Sequence, residues 1–489
     1  KWGGFDDAND DKAPFDVDAD PADNTEWDAD GDTVPDTFFF VTDPGDLESS
    51  LREIFDTILE RVSSGTAAAV VANEQKGNGA LFQALYDPEK NDGEGNSARW
   101  VGTLHALFVD TFGFIREDGN ANGRIDDYES DAIIKLEFDE SVDPSERRTK
   151  VVRFYPIADD PDTTDIEGMD PDNPNPADPE QFTEEAPAEI FGDDGLKTVW
   201  NAREELSELD ETSIVEQRDY DEPADEGRHI LTWMDGDGNN VIGSGEVVDL
   251  VSDNIDANNF YWLDSDTEDE AQDLVDWVRG KETGLDGLRK RSVDYDGDEG
   301  PRDVEIMRLG DIIHSTPVSV GAPFASFDQS ALDESYAEFR AQYQERRQVV
   351  YVGANDGMIH AFNAGFFDAN DLSFNLSPSE ESGVTEHPLG SEIWAYVPKN
   401  LLPHLQWTAR PDYSHVYYMD LPIRVFDVKI FDDDETHPNG WGTILVAGMR
   451  FGGGNDNNGI EVDVDADGDS SNDLKTKSAY VILDITNPE

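Results

Sequence analysis

Cysteine is absent from all 489 residues, which removes disulfides, thiolate metal sites and thiol nucleophiles together and leaves the redox compartment unread. Long apolar runs are missing too. None approaches the roughly 20 residues that span a bilayer, so no membrane span is expected. The amino terminus carries no basic-plus-apolar leader pattern; starting at Lys1, the chain reads as a processed or excised piece. Positive charge is scarce: 35 Lys and Arg against 111 Asp and Glu give a formal net charge of -76. A polyanion of that size repels phosphate backbones and anionic lipid heads, which excludes nucleic acid as a partner. Catalytic signatures are lacking as well, with no HExxH and no GxSxG. Carboxylate pairs say nothing among so many acids. His314 in IIHST and His360 in MIHAF sit in apolar runs and read as core histidines with satisfied hydrogen bonds. The chain is expected not to be an enzyme.

What is present is enough to build a core. Apolar residues make up 37% and aromatics 10%, so the acids belong on a folded surface and in loops rather than in a disordered chain. The length calls for two or three domains, since single cores stop growing at about 250–300 residues. Over 46–62, Leu47, Leu51, Ile54, Phe55, Ile58, Leu59 and Val62 share one helical face behind Pro44-Gly45. After Gly65 the pattern turns to β, with strands expected at Ala67 to Asn73, Trp100 to Asp110 and Ile133 to Phe138. Residues 157–189, crowded with Pro, Asp, Asn and Glu, read as an exposed linker. Helices are expected near Leu196 to Leu209 and Ala271 to Arg279, with a strand at Arg228 to Trp233 between them.

From Leu309 onward short apolar runs recur: 349–352, 358–362, 393–397, His415 to Met419, 444–447 and 480–485. Turn residues separate several of them, as in GANDG. Such runs suggest a propeller or sandwich, and the small antiparallel groups favour a propeller.

The acids are not scattered. Asp118 to Glu129, DGNANGRIDDYE, fills every slot of an EF-hand-type loop: Asp118, Asn120 and Asn122 as oxygen ligands, Gly123 at the turn, the Arg124 carbonyl, Asp126, and Glu129 as the bidentate closer. Carboxylate and amide oxygens suit a hard cation, and Gly123 permits the sharp turn that points them inward. Asp235 to Glu246 repeats the register with Asp235, Asp237, Asn239, the Val241 carbonyl and Glu246; Asn240 replaces the usual Gly. Asp28, Asp30, Asp32 and Asp36 in DADGDTVPD resemble thrombospondin type 3 calcium repeats. Asp463, Asp465, Asp467 and Asp469, with Asp473 in place of a terminal Glu, form a fourth candidate. Near Asp294, Asp296 and Asp298 the spacing recurs without glycine and reads as a surface turn. Four loops in register point to Ca2+ rather than to salt adaptation alone.

Two longer stretches carry a resemblance. LGDIIHSTPVSVGAPF from Leu309, and SYAEFRAQYQERRQVVYVGANDGMIHAFNAG ending at Gly365, resemble the PilC/PilY family of type IV pilus biogenesis and adhesion proteins. KWGGF at Lys1, WDADGDTVPD at Trp27, SSGTAAAVV at Ser63 and RHILTW at Arg228 follow the family's order. The resemblance implies a mainly β chain with minor α. A quinoprotein-like β-propeller, incomplete at 309–489, would follow the closing segment of a von Willebrand A-like domain at 1–62 and a calcium-loop-bearing β region at 63–308. It implies export through the periplasm to the pilus tip or cell surface. It also implies roles in assembly and retraction balance and in adhesion, with minor pilins, other pilus subunits or a host or abiotic surface as partners. No DxSxS motif occurs, so the metal-adhesion part of the A-type domain is expected upstream of Lys1. With room for about four blades of 40–50 residues, the propeller is expected to continue past Glu489 or to meet a partner there. Two rivals compete: an acidic filament or surface-layer component, and a quinone-dependent dehydrogenase propeller. The second lacks any cofactor motif here.

Overall fold

The computed structural model describes the strand Ala68–Ala72 and most of the chain from Gly79 onward. Residues 1–67, 73–78, 139–148, 158–173, 295–303, 463–473 and shorter loop stretches lie outside the described residues. The expected 46–62 helix and the loops at Asp28 to Asp36 and Asp463 to Asp473 fall there. The fold is mainly β, and Ser63–Glu489 clusters as one compact unit.

Two 13-residue strands, Gly79–Asn91 and Ser97–Val109, pair antiparallel along nearly their full length and form the spine of the first sheet. Alternate side chains leave a strand on opposite faces, and here both faces are covered. Phe82, Ala84, Leu104, Ala106 and Phe108 join Leu309, Ile312, Val350, Val352 and Phe374 in one core, while Leu81 and Leu107 pack with Ile134 and Val151 in another. The first core carries hydrophobic continuity straight across residue 308.

The strands Val318–Val320, Val349–Gly353, Ile359–Asn363 and Glu392–Val397 form an antiparallel, four-stranded blade. Ile230–Trp233 extends it by pairing parallel to the last strand, Ile230 opposite Ala395, and Val247–Asp249 adds a sixth strand. A second blade-like sheet comprises Arg424–Lys429, Trp441–Gly448 and Tyr480–Asp484. Ile359, Ile393 and Tyr351 of the first blade pack with Leu445 and Ala447 of the second and with Ile423 just before it. Among the described residues, then, 309–489 makes two blades where spacing suggested about four. The excursions after residues 363, 429 and 448 lengthen the connections beyond those of a compact blade.

Other elements depart from expectation for identifiable reasons. His415 to Met419 is apolar enough for a strand, yet its backbone bonds to a loop instead: Tyr418 N donates to Asn355 Oδ1 at 2.9 Å and Met419 N to Ala354 O at 3.4 Å. The 157–189 linker contains two short strands, Phe182–Glu184 and Ala188–Glu189, that pair with Thr149–Pro156. The helix expected near Leu196 to Leu209 shrinks to Ala202–Ser207, started by an Asn201 cap. The second runs Glu268–Arg279, with Thr267 accepting from Glu270 N at its start and Gly280 following its end.

Where the first sheet meets the blade, Gly102 N donates to Leu309 O at 3.0 Å. A Cβ on Gly102 would lie 2.0 Å from Gly310 O, and one on Gly310 would lie 2.6 Å from Asp356 N. Only glycine permits this backbone-to-backbone approach.

Candidate functional site

Two constellations stand out: the acidic loops and a buried polar hub. In the first loop the short strand Ile115–Arg116 carries the chain inward, so that Arg116, Glu117 and Asp118 are all buried. Asp118 accepts from Asn122 N at 3.1 Å and Gly123 N at 2.7 Å, which folds the turn back over its carboxylate. Asn120 and Asn122 both donate side-chain amides to Asp126 Oδ2, at 2.9 and 2.7 Å. Three of the side chains expected as ligands, Asn120, Asn122 and Asp126, thus meet one another, while Asp118 holds the backbone of the same turn. The 124 position is pinned beside Ser373 by Ile125 N to Leu372 O and Phe374 N to Gly123 O, 3.0 and 2.8 Å.

Glu129 does not join them. It is exposed, and its backbone N–H donates to Asp127. The carboxylate that closes the loop from inside belongs to Asp131, which is fully buried and accepts from Gly119 N at 3.0 Å and Asp126 N at 2.5 Å. Arg116 Nε donates to the Asp131 carbonyl at 2.6 Å. Burial, with a smaller like-charge contribution, raises the pKa of Asp118 and of Asp131, whereas the hydrogen bonds from Asn120 and Asn122 hold Asp126 low. Among the described residues no three acidic or histidine side chains already sit at metal-holding distance. The oxygen chemistry of positions 118 to 126 nonetheless suits a hard cation.

The second loop behaves differently. Asp235 is buried and paired at 2.7 Å with Lys399, whose ammonium lies 4.5 Å from the Trp233 ring centre and 4.8 Å from that of Trp262. A lysine therefore already serves the carboxylate in the first ligand position. Glu246 accepts from Gly243 N at 2.7 Å, and Asn239 accepts from Val241 N at 2.5 Å, while Asp237 lies outside the described residues.

The hub is what the two motif stretches build. Asp311 of LGDIIHS accepts from Asn355 of GANDG at 2.6 Å, and its other neighbour is His415 Nε2 at 2.8 Å. Asp356 accepts from Gly310 N at 3.0 Å and lies 3.1 Å from His360 Nε2. The other nitrogen of His360 lies 2.7 Å from Glu392, which also holds Arg228 of RHILTW through two 2.7 Å contacts. Burial alone would lower the His360 pKa, but Asp356 and Glu392 outweigh it and hold the imidazole up at about 9. Arg228 and His360 in turn keep the buried Glu392 well below the usual carboxylate range. His360 is thus a core histidine with both nitrogens satisfied, although as a charged one. His314 is half-exposed and pairs with Asp420 at 2.7 Å, which also meets Arg450 at 3.1 Å. Asp131, Lys399 and Glu392 escaped sequence reasoning. Asp356 and His360, four apart in NDGMIH, carried a legible hint.

Residues 309–476 match the family described as PilY1 beta-propeller domain. A type IV pilus biogenesis factor PilY1 homolog of Xylella fastidiosa is 35% identical over 151 residues, 30% of this chain and 10% of that protein. The type IV pilus biogenesis factor PilY1 of Pseudomonas aeruginosa is 27% identical over 196 residues, 39% of this chain and 13% of that protein. The chain's matched stretch spans about a tenth of the length of these relatives. No solved structure matches with significant similarity. The family resemblance carried by the Leu309 and Ser335 stretches is borne out.

Proposed function

Taking residues 309–476 as a PilY1 β-propeller domain, we propose that this chain is the propeller-bearing part of a calcium-binding type IV pilus biogenesis factor, displayed at the pilus tip or cell surface. Its work is mechanical and adhesive rather than catalytic: balancing pilus extension against retraction, and holding pilus subunits, minor pilins first, and an external surface. The observation that carries the reading is the family match, which covers the four-stranded blade, the first two strands of the second sheet, and the LGD and NDG motifs that interlock beneath them. The calcium part rests on the first loop, where Asn120 and Asn122 meet Asp126, Asp118 folds the same turn, and a cation would relieve the repulsion between Asp118 and Asp126. There the ion would tie the turn together, with Asp131 holding the loop backbone from behind. Lys399 makes the second loop the weaker candidate.

Deleting the gene in its own host and counting surface pili tests the reading. Loss of pili, restored by the wild-type gene and only partly by one carrying Asp118→Ala with Asn122→Ala, is the expected result. Normal piliation and surface attachment in the deletion strain would overturn it.

A further inference from the structure

Beneath the hub lies a cavity of about 30 Å³ whose walls include Trp277, Arg289, Arg291, Arg308 and Tyr413. In a chain with 35 basic residues against 111 acidic ones, such a gathering of guanidiniums needs a reason. Arg291 is 7% exposed and lies 3.8 Å over the Trp277 ring, with Nη2 donating to Trp277 O at 2.7 Å. Arg289 sits 4.5 Å over Tyr413 and donates Nη1 to Arg99 O at 3.2 Å. The Nε of each is buried and has no hydrogen-bond partner among the described residues. Glu282 Oε1, 3.8 Å from Arg291 Nε, is too far for a hydrogen bond and already accepts from the Arg291 backbone, while Oε2 takes the Ser292 hydroxyl at 2.8 Å.

The acids on the cavity wall are also committed. Asp311 serves Asn355 and His415, and Asp356 serves Gly310 N and His360. Among the described residues Arg289 has no carboxylate at ion-pair distance. We propose that this cavity binds a single small inorganic anion, of which chloride is the natural occupant, held between Arg289 Nε and Arg291 Nε.

Three considerations support the class of ligand. The volume admits one ion or water, whereas organic ligands occupy pockets of roughly 300–1,000 Å³. Desolvation cost climbs steeply with charge, which favours a monovalent ion over sulfate or phosphate in an enclosed site. Burial, compounded by Arg289 and Arg308, pushes the Arg291 guanidinium down to about 9, a sign that positive charge is under-compensated there. An anion would relieve that imbalance and satisfy both N–H groups together. Trp100, in a left-handed backbone conformation at φ 59°, places its ring 3.9 Å from His415 at the cavity's rim.

The test uses the unmodified chain. Crystals transferred to sodium bromide should show an anomalous peak between Arg289 and Arg291. In solution the thermal midpoint should rise saturably with chloride relative to sodium isethionate at equal ionic strength, and Arg291→Lys should abolish that difference. No peak together with equal midpoints in the two salts would overturn the proposal and leave water as the partner of both Nε groups. A peak without any midpoint difference would mean an adventitious ion only, and would overturn it too. Because the comparison of salts needs only the wild-type chain, failure of the Arg291 variant to fold does not blunt it.

Discussion

At the residue scale the hub makes the sharpest claims. Glu392 is 4% exposed and neutralises Arg228, so Glu392→Gln leaves a buried guanidinium without its counter-charge. Breaking a buried pair this way costs about 3–5 kcal/mol, and chemical denaturation should show a loss of that size. His360 supplies a pH dependence. Its pKa is raised from 6.5 to about 9 in the folded chain, so its contribution to stability is fully present below 6.5 and is lost as pH rises through about 9. Thermal midpoints from pH 6 to 10 should fall more steeply for the wild type than for His360→Gln; parallel curves would contradict the assignment. In the first loop, Asp131→Ala should destabilise the cation-free chain by about 1–3 kcal/mol, because two part-buried backbone N–H groups lose the buried carboxylate that holds the loop. Glu129→Ala, which removes an exposed side chain, should stay within roughly 0.5 kcal/mol. If Glu129→Ala proves the costlier change without calcium, the description of this loop is wrong.

Elements meet at glycines and caps. Gly310 brings the LGD segment against both the Gly102 strand and the 355–357 turn, and an added Cβ would press within 2.6 Å of Asp356 N. Gly310→Ala should therefore separate the first sheet from the blade. The expected readout is faster amide exchange along both Ser97–Val109 and Ile359–Asn363, not along one alone. Thr267→Ala, by contrast, removes one cap from Glu268–Arg279 and should cost about 1 kcal/mol. Ile133 to Phe138, Ile393 to Val397 and the helix expected near Ala271 to Arg279 are legible because alternation or helical periodicity, with a Gly stop, is written locally in each. His415 to Met419 departs from its expected strand because apolar content says that a segment is buried, not what its backbone bonds to.

For the whole molecule, net charge dominates. At -76 the folded chain repels itself, and screening shortens to about 10 Å at 0.1 M salt. Moving from 10 mM to 200 mM monovalent salt should raise the thermal midpoint. Chelation should lower it, and more so at the lower ionic strength, if cations occupy the acidic loops. A midpoint indifferent to chelator in low salt would remove calcium from the account.

By itself the sequence determined the mainly β class, the resemblance to the PilY1 propeller family, the placing of oxygen-bearing Asp118, Asn120, Asn122 and Asp126 in one register, and the burial of His360, since each rests on residue type and spacing along the chain. Tertiary structure alone decided that Lys399 reaches Asp235, that Asp131 rather than Glu129 closes the first loop from inside, and that Glu392 joins Arg228 to His360. These partners stand in separate segments or outside the expected register. Which carboxylate meets which cation is set when packed sheets bring distant segments within hydrogen-bond reach and burial forbids leaving either charge alone.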